Sequence, residues 1–226
     1  TTDSVNMQRI ASFGHDTSTN NGANGGKVII SASNTLNTSI IDTHGGQDTA
    51  LADSSRSGAS AGLVSLTSTA GTVFLEQIYA FGGNGSTGGN GSNVTIIGTT
   101  FNVNSPVINT YGGGGTDSTL LGGGTGGTIS INVSLLNLSS ASFNSSGFPS
   151  DGSAGDIIIK AQTGAIDGNN LVAVGGGVIN VNGQNNAAGG KINISFASGN
   201  VTLPSLPPMA DLLPALRTQA LAVEST

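Results

Sequence analysis

Apolar and polar residues alternate in short bursts along the chain, and glycine separates the bursts. In GGTISINVSLLNLSSASFNSSG (126–147), two glycines precede apolar residues at every second position, a break follows, and the pattern resumes. A period of two marks a strand with one buried face. One form of the burst recurs as GGKVIIS (25–31), AGLVSLT (61–67), GSNVTII (91–97), GGTISIN (126–132), AGDIIIK (154–160) and GGKINIS (189–195). Its first apolar residues are Val28, Val64, Val94, Ile129, Ile157 and Ile192, spaced by 36, 30, 35, 28 and 35 residues. A second form follows as IIDTHGG (40–46), IYAFGG (78–83), VINTYGG (107–113), SFNSSG (142–147) and VINVNG (178–183), with an earlier copy, RIASFG (9–14). Between the two lies a shorter apolar pair: Val73 and Leu75, Phe101 and Val103, Leu136 and Leu138, Val201 and Leu203. SVNMQRIASFG (4–14) aligns without a gap on TVFLEQIYAFG (72–82). Each repeat therefore predicts three short strands of about four to six residues.

Helical repeats are excluded, because no segment before residue 209 carries a useful 3.6-residue period. A propeller blade needs about 40–45 residues and four strands. The repeat instead predicts an all-β fold, a parallel β-helix (solenoid) of about six coils over residues 1–203. Equivalent strands would pair along its axis at about 4.8 Å. Apolar residues would fill a narrow core, and glycines with positive φ would turn the corners. Length variation falls in the Gly/Asn loops, where solenoid insertions belong. The segment 204–226 departs from the repeat: prolines end the strands, and Asp211 caps an expected short helix carrying Leu212, Leu213, Leu216 and Leu221. That Pro-rich, helical tail is expected to cover the end of the solenoid or dock on a neighbouring subunit.

Composition narrows the function classes. Charged residues are only 8 % of the 226, against roughly 25 % in ordinary globular domains. Glycine contributes 37 residues, and polarity comes mainly from Asn, Ser and Thr. Gly/Ser/Asn-rich chains are often disordered, but a 36 % hydrophobic content placed at period two argues for a packed core. The net charge is −6, with six scattered Lys and Arg, so nucleic acid is not an expected partner. No apolar run approaches the length of a membrane-spanning helix. Cysteine is absent, which removes disulfides, thiolate catalysis and Cys-ligated metals. TTDSVNMQRI lacks the regions of a signal peptide, so the chain reads as cytosolic, processed, or cut from something longer.

Units of the form GG-x-V-x-I-x followed by I-x-T-x-GG resemble the haemagglutination-type repeats of secreted bacterial β-helix proteins, the filamentous-haemagglutinin-like and related large adhesins. The resemblance covers roughly residues 5–203. It implies export, often by two-partner secretion, and adhesive or structural work at the cell surface.

Candidate chemistry is sparse. Pectate-lyase-like β-helices are similar in fold and cluster acidic and basic residues on one strand face. Here the outward column of the first strand is Ile29, Ser65, Thr95, Ser130, Ile158 and Asn193, without a charge, so no enzyme is expected. His15 and His44 lie near corners and read as solvated. GGGGTDSTL (112–120) approaches a calcium-binding nonapeptide, but GGNGSTGGN (82–90) lacks the Asp, and both read as Gly-rich loops rather than metal sites. No cofactor is expected. An in-register Thr array for ice binding is missing too.

Aligning the second form on its glycine gives an outward column, Phe13, His44, Phe81, Tyr111, Ser146 and Asn182, with Asp42, Tyr79, Asn109, Asn144 and Asn180 beside it. Exposed rings next to amides suit sugar binding. A structural aromatic stack with an Asn ladder is the competing reading. The repeat begins mid-coil and ends mid-coil, leaving strand edges that could add end to end into a filament. Val5, Met7, Val201 and Leu203, with Leu212, Leu213 and Leu216 of the tail, are the expected assembly residues. The expectation is thus an extracellular structural or adhesive protein that self-associates into a surface filament. The alternatives are a glycan-binding adhesin stalk and, more remotely, a polysaccharide-active enzyme.

Overall fold

The computed structural model describes residues 3–49, 56–115, 122–139, 141–148, 152–167, 179–180, 189–202 and 221–225. The fold is all-β, and the described strands belong to one largely parallel sheet. The first sequence form builds β2 (Val28–Ala32), β4 (Val64–Ser68), and the leading halves of β6 (Val94–Asn104), β8 (Ile129–Ser139), β10 (Ile157–Asp167) and β12 (Ile192–Thr202). The second form builds β1 (Val5–Ala11), β3 (Leu36–Asp42), β5 (Thr72–Tyr79), β7 (Val107–Asn109), β9 (Ser142–Asn144) and β11 (Ile179–Asn180).

Register follows the sequence spacing. Val28 pairs with Val64, Val64 with Val94, Val94 with Ile129, Ile129 with Ile157, and Ile157 with Ile192. The outward column Ile29, Ser65, Thr95, Ser130, Ile158 and Asn193 lines up through the same pairings. In the second form, Ile10, Ile41, Ile78, Ile108, Phe143 and Ile179 align one per strand. One detail differs from the sequence reading. In β6, β8, β10 and β12 the first strand and the following apolar pair are a single 11-residue strand.

The core is narrow and apolar. Val64, Leu66, Val94, Ile96, Ile129, Ile131, Phe101, Leu136 and Phe143 are fully buried. Their neighbours in sequence face outward, as the burial of β4 and β5 shows, so alternation alone separates core from surface.

The glycines do something other than turn corners. Among described glycines only Gly164 has a positive φ, 151°. The others sit where backbone meets backbone. Segments after the second form and before the first form are linked by a zigzag of hydrogen bonds. The N–H of Gly46 donates to Ala23 O, Ala59 to Gly46 O, Gly83 to Ala59 O, Gly89 to Gly83 O, Gly113 to Gly89 O and Gly124 to Gly113 O, all at 2.8–3.0 Å. The same segments also donate at every third residue to the next repeat: Gly22, Gly25 and Val28 to Ser57, Ser60 and Leu63, and Gly58, Ala61 and Val64 to Thr87, Asn90 and Asn93. Three residues is the period of polyproline II, not of a strand.

The tail also departs from expectation. Leu221, expected in a helix, lies in β13 (Leu221–Ser225), which pairs in parallel with β12, Leu221 opposite Ile192. LAVES repeats the apolar-x-apolar pattern of the first form, so it continues that ladder. The rest of the expected helix, including Leu212, Leu213 and Leu216, lies outside the described residues, as does Leu203. Among the described residues no helix is long and apolar enough to cross a membrane.

Candidate functional site: the aromatic column

Each ring of the column is placed by a backbone bond to the next repeat. The N–H of Gly14 donates to His44 O at 2.8 Å, that of Gly45 to Phe81 O at 3.0 Å, and that of Gly82 to Tyr111 O at 2.9 Å. These bonds carry the ladder past the ends of β3, β5 and β7, so the ring-bearing residues remain one strand spacing apart. The side chains then stack. Ring centroids are 5.0 Å apart for Phe13 and His44, 5.1 Å for His44 and Phe81, and 4.8 Å for Phe81 and Tyr111. The planes are within 12° of parallel. Tyr79 meets Phe81 edge-on at 6.2 Å and donates its hydroxyl to Gln77 Oε1 at 2.8 Å.

His44 is therefore not a solvated corner residue. It is sandwiched between two phenyl rings, and its Nδ1 donates to Asp42 Oδ1 at 2.6 Å. Asp42 Oδ2 lies 3.7 Å from the exposed Arg9 guanidinium. In another repeat Asn144 does the job of Asp42, its Oδ1 accepting the Ser146 N–H at 3.0 Å, as Asp42 accepts the His44 N–H at 3.4 Å. Burial, and secondarily the neighbouring Tyr79, push the Tyr111 phenol above the ordinary tyrosine range. His15 stays exposed, beside the carbonyl of Asp16.

The neighbouring column, Asp42, Tyr79, Asn109 and Asn144, is in register strand by strand, with Asn180 opposite Asn144. Ser146 follows the rings, and Asn182 lies outside the described residues. Of the expected assembly residues, Val5 is half-buried and Met7 is 42 % exposed on β1, while Val201 pairs with Ile166. No three His, Asp or Glu side chains come together among the described residues.

A buried row of hydroxyls escaped the sequence reading. Thr43, Thr110 and Ser145 lie between the two outward columns and point inward. Their hydroxyls donate to Gly62 O (2.8 Å), Gly127 O (2.7 Å) and Gly155 O (2.9 Å). The N–H of the same three glycines donates back to Thr43 O, Thr110 O and Ser145 O. These two-bond clasps join the end of one sequence form to the start of the next. The available signal was a Thr or Ser at an inward position of IIDTHGG, VINTYGG and SFNSSG.

The stacking has a chemical consequence. A ring that grips a sugar offers an open face, whereas faces about 5 Å apart cover each other. Each such pair adds about 0.5–1.5 kcal/mol beyond area burial. In comparisons with known proteins, no family model, curated protein or solved structure matches the chain.

Proposed function

We propose that the chain winds as a parallel β-helix and works as a rigid structural element of an extracellular, adhesive protein at a bacterial cell surface. One observation carries the reading: parallel pairing to the residue one repeat on, in strands and Gly-rich segments alike. Equivalent residues stacked at about 4.8 Å are what successive coils provide. The zigzag from Gly46 to Gly124 supports closure of the coil. In such an architecture each repeat touches only its neighbours, so the fold supplies length and stiffness. A surface of neutral amides and hydroxyls, with 8 % charged residues, suits a hydrated scaffold. The resemblance to haemagglutination-type repeats points the same way. The mutually covered rings favour a structural use of the aromatic column over a sugar-gripping one. End-to-end self-association through strand edges belongs to the same proposal.

Hydrogen exchange and negative-stain microscopy test it together. Slow exchange is expected at the amides of Gly83, Gly89 and Gly113, and the images should show narrow rods of uniform width. Fast exchange at those amides beside protected strands would describe an open sheet with loops, and would overturn the β-helix. A concentration series separates the parts: filaments of unchanged width support end-to-end addition, and short rods at every concentration remove it.

A further inference from the structure

A groove of about 320 Å³ opens on the outer face of β6, β8 and β10, lined among others by Ile97, Asn132, Ser134, Lys160 and Gln162. It forms where the in–out alternation of β8 breaks, with Ser134 and Leu135 both facing outward. Ile97, Asn132 and Lys160 come from three repeats and stand opposite one another in register.

The polar groups of this groove are unused by the fold. Lys160 makes no ion pair with a described residue, and the side chains of Asn132, Ser134 and Gln162 make no hydrogen bond with one. Other amides are occupied: Asn90 Oδ1 accepts the Thr125 N–H at 2.9 Å, and Asn93 Oδ1 accepts the Thr128 N–H at 2.8 Å. Other cations are engaged too, Arg9 with Asp42 and Arg56 with the Ser18 carbonyl.

We propose that this groove binds a carboxylate-bearing glycan, a uronate-type sugar chain lying along the stack of strands. The carboxylate meets Lys160 Nζ, the sugar hydroxyls meet the amides of Asn132 and Gln162 and the hydroxyl of Ser134, and a C–H face rests on Ile97, which is 43 % exposed. Amides and hydroxyls donate and accept at once, as sugar hydroxyls do. A polyphosphate or acidic peptide would call for clustered cations, and this groove holds one. The strand step of about 4.8 Å is comparable to the advance of one sugar unit along a glycan.

The site is separate from the aromatic column and goes beyond the scaffold reading. The test is calorimetric titration of the full chain with an oligogalacturonate, its uncharged methyl ester of equal length, and an oligoglutamate. The acid should bind, with the ester at least about tenfold weaker, because the charge-assisted contact to Lys160 is missing. Lys160→Met should cost a similar factor, Asn132→Ala a smaller one, and Phe81→Leu nothing. No binding of the acid, binding unmoved by Lys160→Met, or equal affinity for oligoglutamate would each overturn the proposal. Lys160 is an exposed outward residue of β10, so its replacement leaves register intact. Rods seen for wild type and variant by microscopy judge the scaffold reading independently.

Discussion

At Gly113 the place of a Cβ is taken by the carbonyl oxygen of Gly83, 1.9 Å away; at Gly82 it is taken by that of Gly89 at 1.8 Å. Neither glycine has a positive φ, so steric contact between backbones, and not a turn, selects the residue. Gly113→Ala is expected to destabilise by on the order of 3 kcal/mol, since rigid backbone on both sides cannot yield. The shift of the denaturation midpoint checks it. A composition of 37 glycines was legible, but its cause was not, because the close approach joins segments from different repeats. Thr38 is the opposite case. It is 1 % exposed, and its Oγ1 is buried without a partner. Thr38→Val removes that unsatisfied hydroxyl at nearly constant shape and should stabilise by about 1 kcal/mol. A midpoint that falls would mean that the hydroxyl is satisfied in solution.

At the scale of elements, the ladders and the rings depend on each other. The Gly14, Gly45 and Gly82 amides fix the axial step of the column, and the stacked rings add cohesion between strands that are themselves short, three residues in β7 and β9. A double-mutant cycle on Phe81→Leu and Tyr111→Leu should return a coupling of about 0.5–1.5 kcal/mol. A coupling near zero would reduce the stack to simple burial. The ring column could be aligned from sequence because each ring precedes a Gly in the second form. The merged 11-residue strands were harder to see. In GSNVTIIGTTFNVN (91–104) the break between the two apolar runs reads as a turn, yet β6 runs through it, with Gly98 opposite Val133 of β8. Strand β13 was hidden by prolines upstream, although LAVES carries the right alternation.

Across the whole molecule, pairing offsets vary while register does not. Val94 pairs with Ile129, 35 residues on, whereas Ile129 pairs with Ile157, 28 residues on. The difference is absorbed between strands, so the apolar spacing in the sequence already contained the register. The groove was not contained in it, because Ile97, Asn132 and Lys160 become neighbours only after three repeats align. If neighbours supply each repeat with its burial, a whole repeat is removable. Deleting residues 94–128 joins Asn93 to Ile129 and brings β4 against β8, placing Ile129 opposite Val64, where Val94 had been. Apolar residues then meet apolar residues along the ladder, and Phe81 keeps its contact with His44. The shortened chain is expected to retain strand circular dichroism and cooperative unfolding, with a smaller denaturant m-value because less surface is exposed. Loss of cooperative folding would mean that the repeats are not interchangeable units. The parallel ladders would then be held by one particular junction, such as the clasp between Thr110 and Gly127, which this deletion removes.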